Sequence, residues 1–373
     1  MNRTQLISLA RRVLNEPTAP YHEQRVAARV RAECERLGLP LRRDRFGNLL
    51  IHYRRGKHLR HPLAFVAHMD HPGFEVLERS RNGAVRAAFM GGIVRKCVLR
   101  APVRVFGSKE VAARVTKIDS WGTPQAPKRP QIVRLRVHGP VRRGDFGMWG
   151  LRPFAIAGDR LYSRGCDDVV GCVAMLGALR ELASRKIHAD VWFVFTRAEE
   201  VGFHGALALA KSGGLPRSVR VVSVETSKEI PPRARMGGGP IVRVGDRAAV
   251  FDSELTRYLS IVSAELAKRD QRFRSQRCLM DGGTCEATAF GENGYQAGAL
   301  CIALGNYHNI GPRKRIVPEY VSLSDLHNLA RLIAAAAQSA SRYDKFVNRL
   351  RHRLDDLHEH AVRRLAPKFN LLS

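Results

Sequence analysis

Histidine and acidic side chains follow the apolar ends of several stretches that are predicted to be buried strands. They are His68 and Asp70 after "PLAFVA", Glu199 and Glu200 after "DVWFVFT", Glu225 after "VRVVSV", and His308 after "AGALCIAL". An acidic pair, Asp167-Asp168, begins a long apolar helical stretch. Ligands of open α/β sheets bind beyond the carboxyl ends of the strands, so these side chains are expected to meet at one edge. Imidazole nitrogen and carboxylate oxygen suit Zn²⁺, and the pattern therefore predicts a metal site.

Each of these features has a simpler structural explanation when it is taken alone. A histidine at a strand end is more often a hydrogen-bonded surface residue than a ligand. Asp167-Asp168 at a helix start can cap the helix and complement its dipole, and adjacent glutamates after a strand usually lie in a solvated loop. The convergence of two histidines and several carboxylates on one sheet edge favours the metal site.

A pair of metal ions accounts for five of these residues. Two metals need a bridging carboxylate, and Asp167 at a rigid helix start can supply it. His68 and Glu225 are then the terminal ligands of one ion, and Glu200 and His308 those of the other. We therefore expect two divalent ions per chain, with zinc as the first choice and cobalt or manganese as alternatives.

Asp70 and Glu199 are left for other roles. Asp70 follows His68 by two residues, so its carboxylate can accept the second ring N–H and fix the tautomer. Glu199 is not needed as a ligand. A free carboxylate beside the water that a metal activates is what a general base requires.

The surrounding elements predict an α/β fold with a mostly parallel sheet sandwiched by helices. The apolar strands alternate with helical patterns over residues 21–37, 167–184 and 322–340, which is typical of a sheet covered on both faces. Residues 75–157 differ, because short Val/Arg alternations are broken there by Gly and Pro. We expect a catalytic domain of residues 1–74 and 158–345 and an inserted small β domain of 75–157.

A basic amphipathic tail, residues 346–373, is expected to form a final helix on the surface or on a partner. The net charge of +29 is extreme and raises the affinity for any polyanion. The arginines are nevertheless scattered and no nucleic-acid motif accompanies them, so we expect a basic coat and no main role in nucleic-acid contact.

The remaining composition bounds the class of protein. The 373 residues contain no apolar run near the length of a membrane span, and the N-terminus lacks the pattern of a signal peptide. The seven cysteines are odd in number and show no C-x-x-C spacing, so neither a disulfide framework nor a zinc knuckle is expected. We expect a cytoplasmic protein with no membrane association.

The motif order H-x-D … D-D … E-E … D/E … H resembles the co-catalytic zinc aminopeptidase clan. Within it, "AHMDHPGF", "GCDDVVGC", "FTRAEEVGFHGA", "MGGGP", "GGTCEA" and "YHNIGP" resemble the tetrahedral-aminopeptidase family, whose members also carry glutamyl-aminopeptidase or endoglucanase labels. The resemblance covers roughly residues 4–340. Nearly a hundred residues of β character separate Asp70 from Asp167, where this family places its inserted domain. The related deacetylase and carboxypeptidase family inserts its extra domain later, after the Glu-Glu pair.

The resemblance implies the zinc-exopeptidase fold, two metals and the removal of N-terminal residues from short peptides. It also implies a homo-oligomer built through the inserted domain. By the match, the metal positions are His68, Asp167, Glu200, Glu225 and His308, the base is Glu199, and the orienting acid is Asp70.

Three departures from the family pattern keep an alternative open. Glu225 stands where the family commonly has Asp. "GGTDA" reads "GGTCEA" here, so an acid near the substrate is replaced by Cys285 or shifted to Glu286. The basic segment Arg313-Lys314-Arg315 either selects acidic substrates or faces solvent. A deacylase or carboxypeptidase on the same site, and a non-catalytic binding homologue, are the alternatives.

Overall fold

The computed structural model describes residues 1–80, 83–122 and 131–365, so the end of the predicted tail lies outside the described residues. The helices are α1 (Arg3–Leu14), α2 (Gln24–Arg36), α3 (Val169–Ser184), α4 (His204–Ser212), α5 (Ser253–Arg269), α6 (Glu286–Gly291), α7 (Leu323–Ser339) and α8 (Tyr343–Leu365). The strands are β1 (Leu41–Arg43), β2 (Leu49–Arg55), β3 (Leu63–His68), β4 (Gly73–Arg79), β5 (Val85–Met90), β6 (Pro102–Phe106), β7 (Glu110–Ser120), β8 (Gln131–Val137), β9 (Phe146–Trp149), β10 (Ala155–Ala157), β11 (Arg160–Ser163), β12 (Ala189–Thr196), β13 (Arg220–Lys228), β14 (Ile241–Gly245), β15 (Gln276–Leu279), β16 (Ala297–Leu304) and β17 (Glu319–Ser322).

The main sheet is mixed, with a parallel centre. Its order is β1-β2-β12-β3-β13-β16-β14-β15. Strands β12, β3, β13 and β16 are parallel, whereas β2 pairs antiparallel with β1 and β12, and β14 pairs antiparallel with β16. The strands β14 and β15 are also parallel to each other. The expectation of a mostly parallel sheet therefore holds for the centre and this edge pair, and the antiparallel pairs make the sheet mixed. The connection from β1 to β2 is too short for a crossover, and the Asp44 carboxylate closes it by accepting the N–H groups of Phe46 and Asn48.

The four central strands bring their carboxyl ends to one edge of the sheet. All six residues of β3 and all eight of β16 are buried, as expected for strands covered on both faces. Thr196 at the end of β12 pairs with His68 at the end of β3, and Ser223 of β13, two residues before Glu225, pairs with Val66 of β3, two residues before His68. This register places the predicted ligands of three strands at similar heights.

Helices cover both faces of the main sheet. Residues of α1, α2, α3, α5 and α7 form one large apolar cluster with one face. Residues of α4 and α6 form a second cluster with the other face. Helix α3 is buried along most of its length, which explains why its sequence is almost continuously apolar. All seven cysteines are free and buried.

The strands that follow β3 in the sequence, β4 to β9, form a closed barrel. Its strands are arranged in the order β4-β5-β8-β7-β6-β9, and its interior is filled by apolar residues that include Phe74, Phe89 and Trp149. Val/Arg alternation in the sequence corresponds to inward and outward positions, as Arg134 and Arg136 of β8 are exposed and their neighbours Val133 and Leu135 are buried. The β character of this region is confirmed, and the domain division at 75–157 stays a prediction.

Helix α8 follows α7 after a short turn. Its first residues pack on the body of the protein, with Tyr343, Phe346 and Val347 buried. Further along, Leu354 and Leu357 are more than half exposed. Among the described residues, no helix combines the length and the apolar character needed to cross a membrane.

Candidate metal centre

The structure brings the predicted ligands together in overlapping groups of potential donor atoms. One group is His68, Asp167 and Glu225, and another is Asp167, Glu200 and His308. A third is His68, Glu199 and Glu200. Within each group the donor atoms lie within 4.8 Å of one another. The first two groups correspond to the two ligand sets expected from the sequence, with Asp167 common to both.

Asp167 faces the two histidines with different oxygens. Its Oδ1 lies 3.8 Å from Nε2 of His68, and its Oδ2 lies 3.6 Å from Nε2 of His308. Glu225 completes the first set, with Oε2 3.8 Å from the His68 nitrogen. Glu200 completes the second, with Oε2 3.6 Å from the His308 nitrogen. Asp167 therefore lies between the two sets and presents one oxygen to each histidine.

Both histidines are held with Nε2 toward the acids. Nδ1 of His68 donates to the backbone carbonyl of Asp70 over 3.1 Å, and Nδ1 of His308 donates to the carbonyl of Gly92. In a neutral ring, the nitrogen that faces a carbonyl carries the proton, so the neutral form of each histidine presents the lone pair of Nε2 to the site. This is the tautomer that a metal ligand needs.

These residues fit a divalent metal ion. Nitrogen and oxygen are 3.6–3.8 Å apart, too far for hydrogen bonds, yet close to the spacing of about 3.4 Å between two ligands on one tetrahedral zinc ion. Oε1 of Glu200 is buried and has no hydrogen-bond partner among the described residues. The donor set and its unsatisfied atom are therefore those of a site that can hold a metal.

The pKa shifts in the site also indicate that a positive charge would stabilise it. Burial raises the pKa of Glu200 well above its usual value and that of Glu225 to about 7, and the neighbouring Asp167 adds to both shifts. Burial alone would lower the pKa of His68, but Glu199, Asp70 and Glu225 outweigh it and raise this pKa. Burial lowers the pKa of His308 to about 4. Buried carboxylates in this number are stabilised in their charged form by a bound cation.

Asp70 contacts the site differently from the sequence expectation. Its carbonyl accepts the His68 N–H, while its carboxylate Oδ1 is 3.6 Å from the same nitrogen. The carboxylate accepts the backbone N–H of Glu199 over 3.0 Å and that of Glu200 over 3.1 Å. Asp70 therefore holds both the ring of one ligand and the backbone that carries Glu199 and Glu200.

Asp168 does not act as a side-chain cap. It occupies the residue before α3, but its side chain makes no capping hydrogen bond, and both carboxyl oxygens are buried without a partner among the described residues. The simple capping explanation of the acidic pair therefore does not account for Asp168.

Three residues that sequence reasoning missed support the backbone of Asp167, two of them directly and Asn309 through His71. Glu319 on β17 accepts the N–H groups of Cys166 and Asp167, and Nδ1 of His71 donates to the Asp167 carbonyl over 2.7 Å. The other nitrogen of His71 contacts Asn309 Oδ1 over 3.0 Å. The only sequence signal was proximity, because His71 and Asn309 are close in sequence to predicted ligands and Glu319 is not.

A cavity of about 480 Å³ opens in front of these side chains. Glu199 lines it together with Tyr307, Thr284 and three basic residues, which are Lys228, Arg243 and Arg247. Cys285 and Glu286, the departures from the family motif, are buried and are not among the described residues that line the cavity. The segment Pro312–Lys314 and Arg315 are exposed and likewise outside the lining.

A parallel-centred sheet with two overlapping His/carboxylate sets at its carboxyl edge defines the class of α/β metallopeptidases. Comparison with known proteins narrows the class. The profile of the family described as M42 glutamyl aminopeptidase matches residues 136–332, more than half of the chain. The chain belongs to this family, as the motifs indicated. It is a hydrolase that acts on peptide bonds, with aminopeptidase function.

Individual relatives agree with this assignment. A protein of Acetivibrio thermocellus, named provisionally as an aminopeptidase, is 27% identical over 303 residues, which are 79% of this chain and 86% of the relative. An aminopeptidase structure from Desulfurococcus kamchatkensis has a TM-score of 0.73 at 22% identity and covers 92% of this chain and 98% of its own. The TET1 peptidase of Pyrococcus horikoshii, which assembles into a tetrahedron or a large octahedral shell, has a TM-score of 0.72 at 22% identity, with 89% and 99% covered. These structures show that the fold is shared.

Proposed function

We propose that this chain is a two-metal aminopeptidase that removes N-terminal residues from short peptides. The observation that carries the proposal is the placement of Asp167, whose two oxygens face His68 and His308 separately. His68 and Glu225 would hold one ion, Glu200 and His308 the other, and Asp167 both. When bound, the ions, with zinc as first choice, would polarise the scissile carbonyl and activate water.

Glu199 is the general base of the proposal. Two ligand sets are complete without it, its carboxylate lines the cavity, and its Oε2 lies 3.8 Å from Nε2 of His68. Burial raises its pKa well above the ordinary value, as is useful for a group that must take and return a proton near neutral pH. Glu199 takes the proton from the attacking water and delivers it to the leaving amine.

The basic wall of the cavity supports a preference for an acidic N-terminal residue. Arg243 is 3% exposed. Its guanidinium donates to neutral oxygens, Ser227 Oγ at 3.2 Å and the Met280 carbonyl at 3.4 Å, and its Nε has no partner among the described residues. Glu225 and Asp246 interact with this charge electrostatically but do not hydrogen-bond to it among the described residues, so a substrate carboxylate could supply a direct partner. Lys228 and Arg247 line the same cavity.

The test is a panel of short peptides assayed with the zinc-, cobalt- and manganese-loaded protein. Each peptide is supplied with a free and with an acetylated N-terminus, and begins with Glu, Leu or Lys. We expect hydrolysis of free-amine peptides only, with Glu first. Cleavage of acetylated peptides would instead support the deacylase or carboxypeptidase alternative.

The specificity is tested by Arg243→Gln. We expect kcat/KM for the Glu peptide to fall about tenfold or more relative to the Leu peptide, because a charge-assisted hydrogen bond contributes about 1.5–3 kcal/mol. Equal losses on both peptides would show that Arg243 does not select the substrate.

We also propose that the chain forms a homo-oligomer. The support is the shared fold with a peptidase of Pyrococcus horikoshii that assembles into a closed shell. Light scattering on the purified protein tests this, and a mass of 41.7 kDa, that of one chain, would contradict it.

A further inference from the structure

The loop that joins β12 to α4 carries Glu199 and Glu200, and its backbone is held by two buried carboxylates. The N–H groups of Glu199 and Glu200 donate to the Asp70 carboxylate. The preceding N–H, that of Ala198, donates to Oε1 of Glu23 over 3.0 Å. Three consecutive backbone amides are therefore fixed by acids from elsewhere in the chain.

Glu23 reaches this loop from the residue before α2, and 175 positions separate it from Ala198. It is 1% exposed. Its Oε1 also accepts the N–H of Tyr21 over 2.8 Å, and its Oε2 accepts Nε of Arg197 over 2.6 Å. One guanidinium and two amides thus bond to the buried carboxylate, although burial and the neighbouring Asp70 still raise the pKa of Glu23 to about 7. These contacts make Glu23 a built part of the loop's support.

The other face of the loop is fixed by the start of α4. The carbonyls of Arg197, Ala198 and Glu199 accept the N–H groups of Gly205, His204 and Gly202, respectively. Ala198 adopts a positive φ of 51°, a conformation that L-residues adopt only where the surroundings impose it. Glu23 therefore bonds to the N–H of Ala198, and the first residue of α4 bonds to its carbonyl.

We propose that Glu23 is a positioning residue for catalysis, which sets the backbone that delivers the base Glu199 and the ligand Glu200. The proposal rests on the function proposed above. Glu23 contacts neither of these side chains and acts through Ala198 and Arg197. Removing its charge frees the strained residue that precedes Glu199, and the base then departs from the geometry that proton transfer requires.

The test compares Glu23→Gln with a matched control in the adjoining helix α2. Glu33 of α2 is also a buried carboxylate, 7% exposed, and it pairs with Arg12 over 2.8 Å and with Arg36. Glu33→Gln therefore removes a similar charge away from the site. At equal zinc content we expect Glu23→Gln to lower kcat about 10–100-fold with KM changed little, as for other residues that orient metal ligands, and Glu33→Gln to keep the kcat of the unsubstituted protein.

Thermal unfolding of both variants controls for a general loss of structure. If Glu23→Gln does not fold, Glu23→Asp, which keeps the charge on a shorter stem, takes its place with a smaller expected loss of kcat. A kcat for the Glu23 variant equal to that of Glu33→Gln would overturn the proposal.

Zinc binding measured by calorimetry separates this proposal from the proposed function. If the unsubstituted protein binds zinc but cleaves no free-amine peptide, the aminopeptidase proposal fails and the binding data still decide on Glu23. Zinc affinity about tenfold weaker in Glu23→Gln than in Glu33→Gln would support the positioning of Glu200. Equal zinc affinities in the two variants would show that Glu23 does not position Glu200.

Discussion

Both ends of β12 carry a group of histidine and acidic side chains, and the two groups differ in how their atoms are spaced. At the amino end, Asp190 is buried and places Oδ1 2.6 Å from Nε2 of His52 and Oδ2 2.9 Å from Nδ1 of His58. Its Oδ2 also accepts the N–H of Leu59. This carboxylate is fully satisfied by hydrogen bonds from its neighbours.

At the carboxyl end, the imidazole nitrogens and carboxylate oxygens are held 3.6–3.8 Å apart. The backbone contacts of His68 and His308 keep them from closing onto the acids. The comparison teaches that residue type alone does not identify a metal site. Donors that satisfy one another form a structural group, whereas donors kept at a common distance leave a place for an ion.

The largest expected effect separates catalysis from metal binding at the carboxyl end. Glu199→Gln keeps both ligand sets but removes the base, so kcat should fall by about 10²–10⁴-fold, with metal content retained. Steady-state kinetics and elemental analysis on the same sample check this. Turnover close to that of the unsubstituted protein would exclude Glu199 as the base.

The next prediction concerns the amino end of β12. Asp190→Asn replaces one accepting oxygen by an NH2 group, so the donors that face that oxygen lose their acceptor, and the free energy of unfolding should fall by about 1–3 kcal/mol. Metal content and kcat should stay unchanged, because this group is expected to be structural. Denaturant titration and a peptide assay provide the measurements. Loss of bound metal in this variant would contradict the claim that the group at the amino end is structural.

A smaller effect is expected from a buried acid beside the metal centre. Burial raises the pKa of Glu286 to about 8, although His68 partly opposes the shift. The folded protein then holds this proton more tightly than the unfolded chain, so the stability linked to it is present below about pH 4.5 and is lost as pH rises through about 8. Glu286→Gln should therefore gain stability relative to the unsubstituted, chelator-treated protein between pH 5 and pH 9.

The control for this pH dependence is the exposed residue that follows α6. Glu292→Gln should show no change in relative stability over the same range, and melting temperatures of all three proteins give the comparison. A difference between Glu286→Gln and the unsubstituted protein that is constant with pH would contradict the account.

The sequence predicted the elements that deliver the ligands because two signals coincided there. β3 and β16 are continuous apolar runs, and the polar residues stand where those runs end. The flanking strands β14 and β15 are short and contain Arg243 and Arg277, so no apolar pattern predicted them. The antiparallel pairing of β14 with β16 was therefore not expected.

The supporting residues of the site could not be predicted for a different reason. Glu23 and Glu319 resemble ordinary acids at the beginning of a helix and a strand, and their partners are 175 and 152 positions away. Only the tertiary fold brings these carboxylates to the backbone of Ala198 and Asp167. The predicted contact of Asp70 differed because its carbonyl, at 3.1 Å, lies nearer to Nδ1 of His68 than its carboxylate, at 3.6 Å.

The most direct test of the central claim is elemental analysis of bound metal in three proteins. They are the unsubstituted chain, His68→Ala at the carboxyl end and His52→Ala at the amino end. The account predicts about two metal ions per chain in the unsubstituted protein and in His52→Ala, and loss of metal together with peptidase activity in His68→Ala. Unchanged metal content in His68→Ala, or no metal in the unsubstituted protein after incubation with zinc, cobalt or manganese, would contradict it.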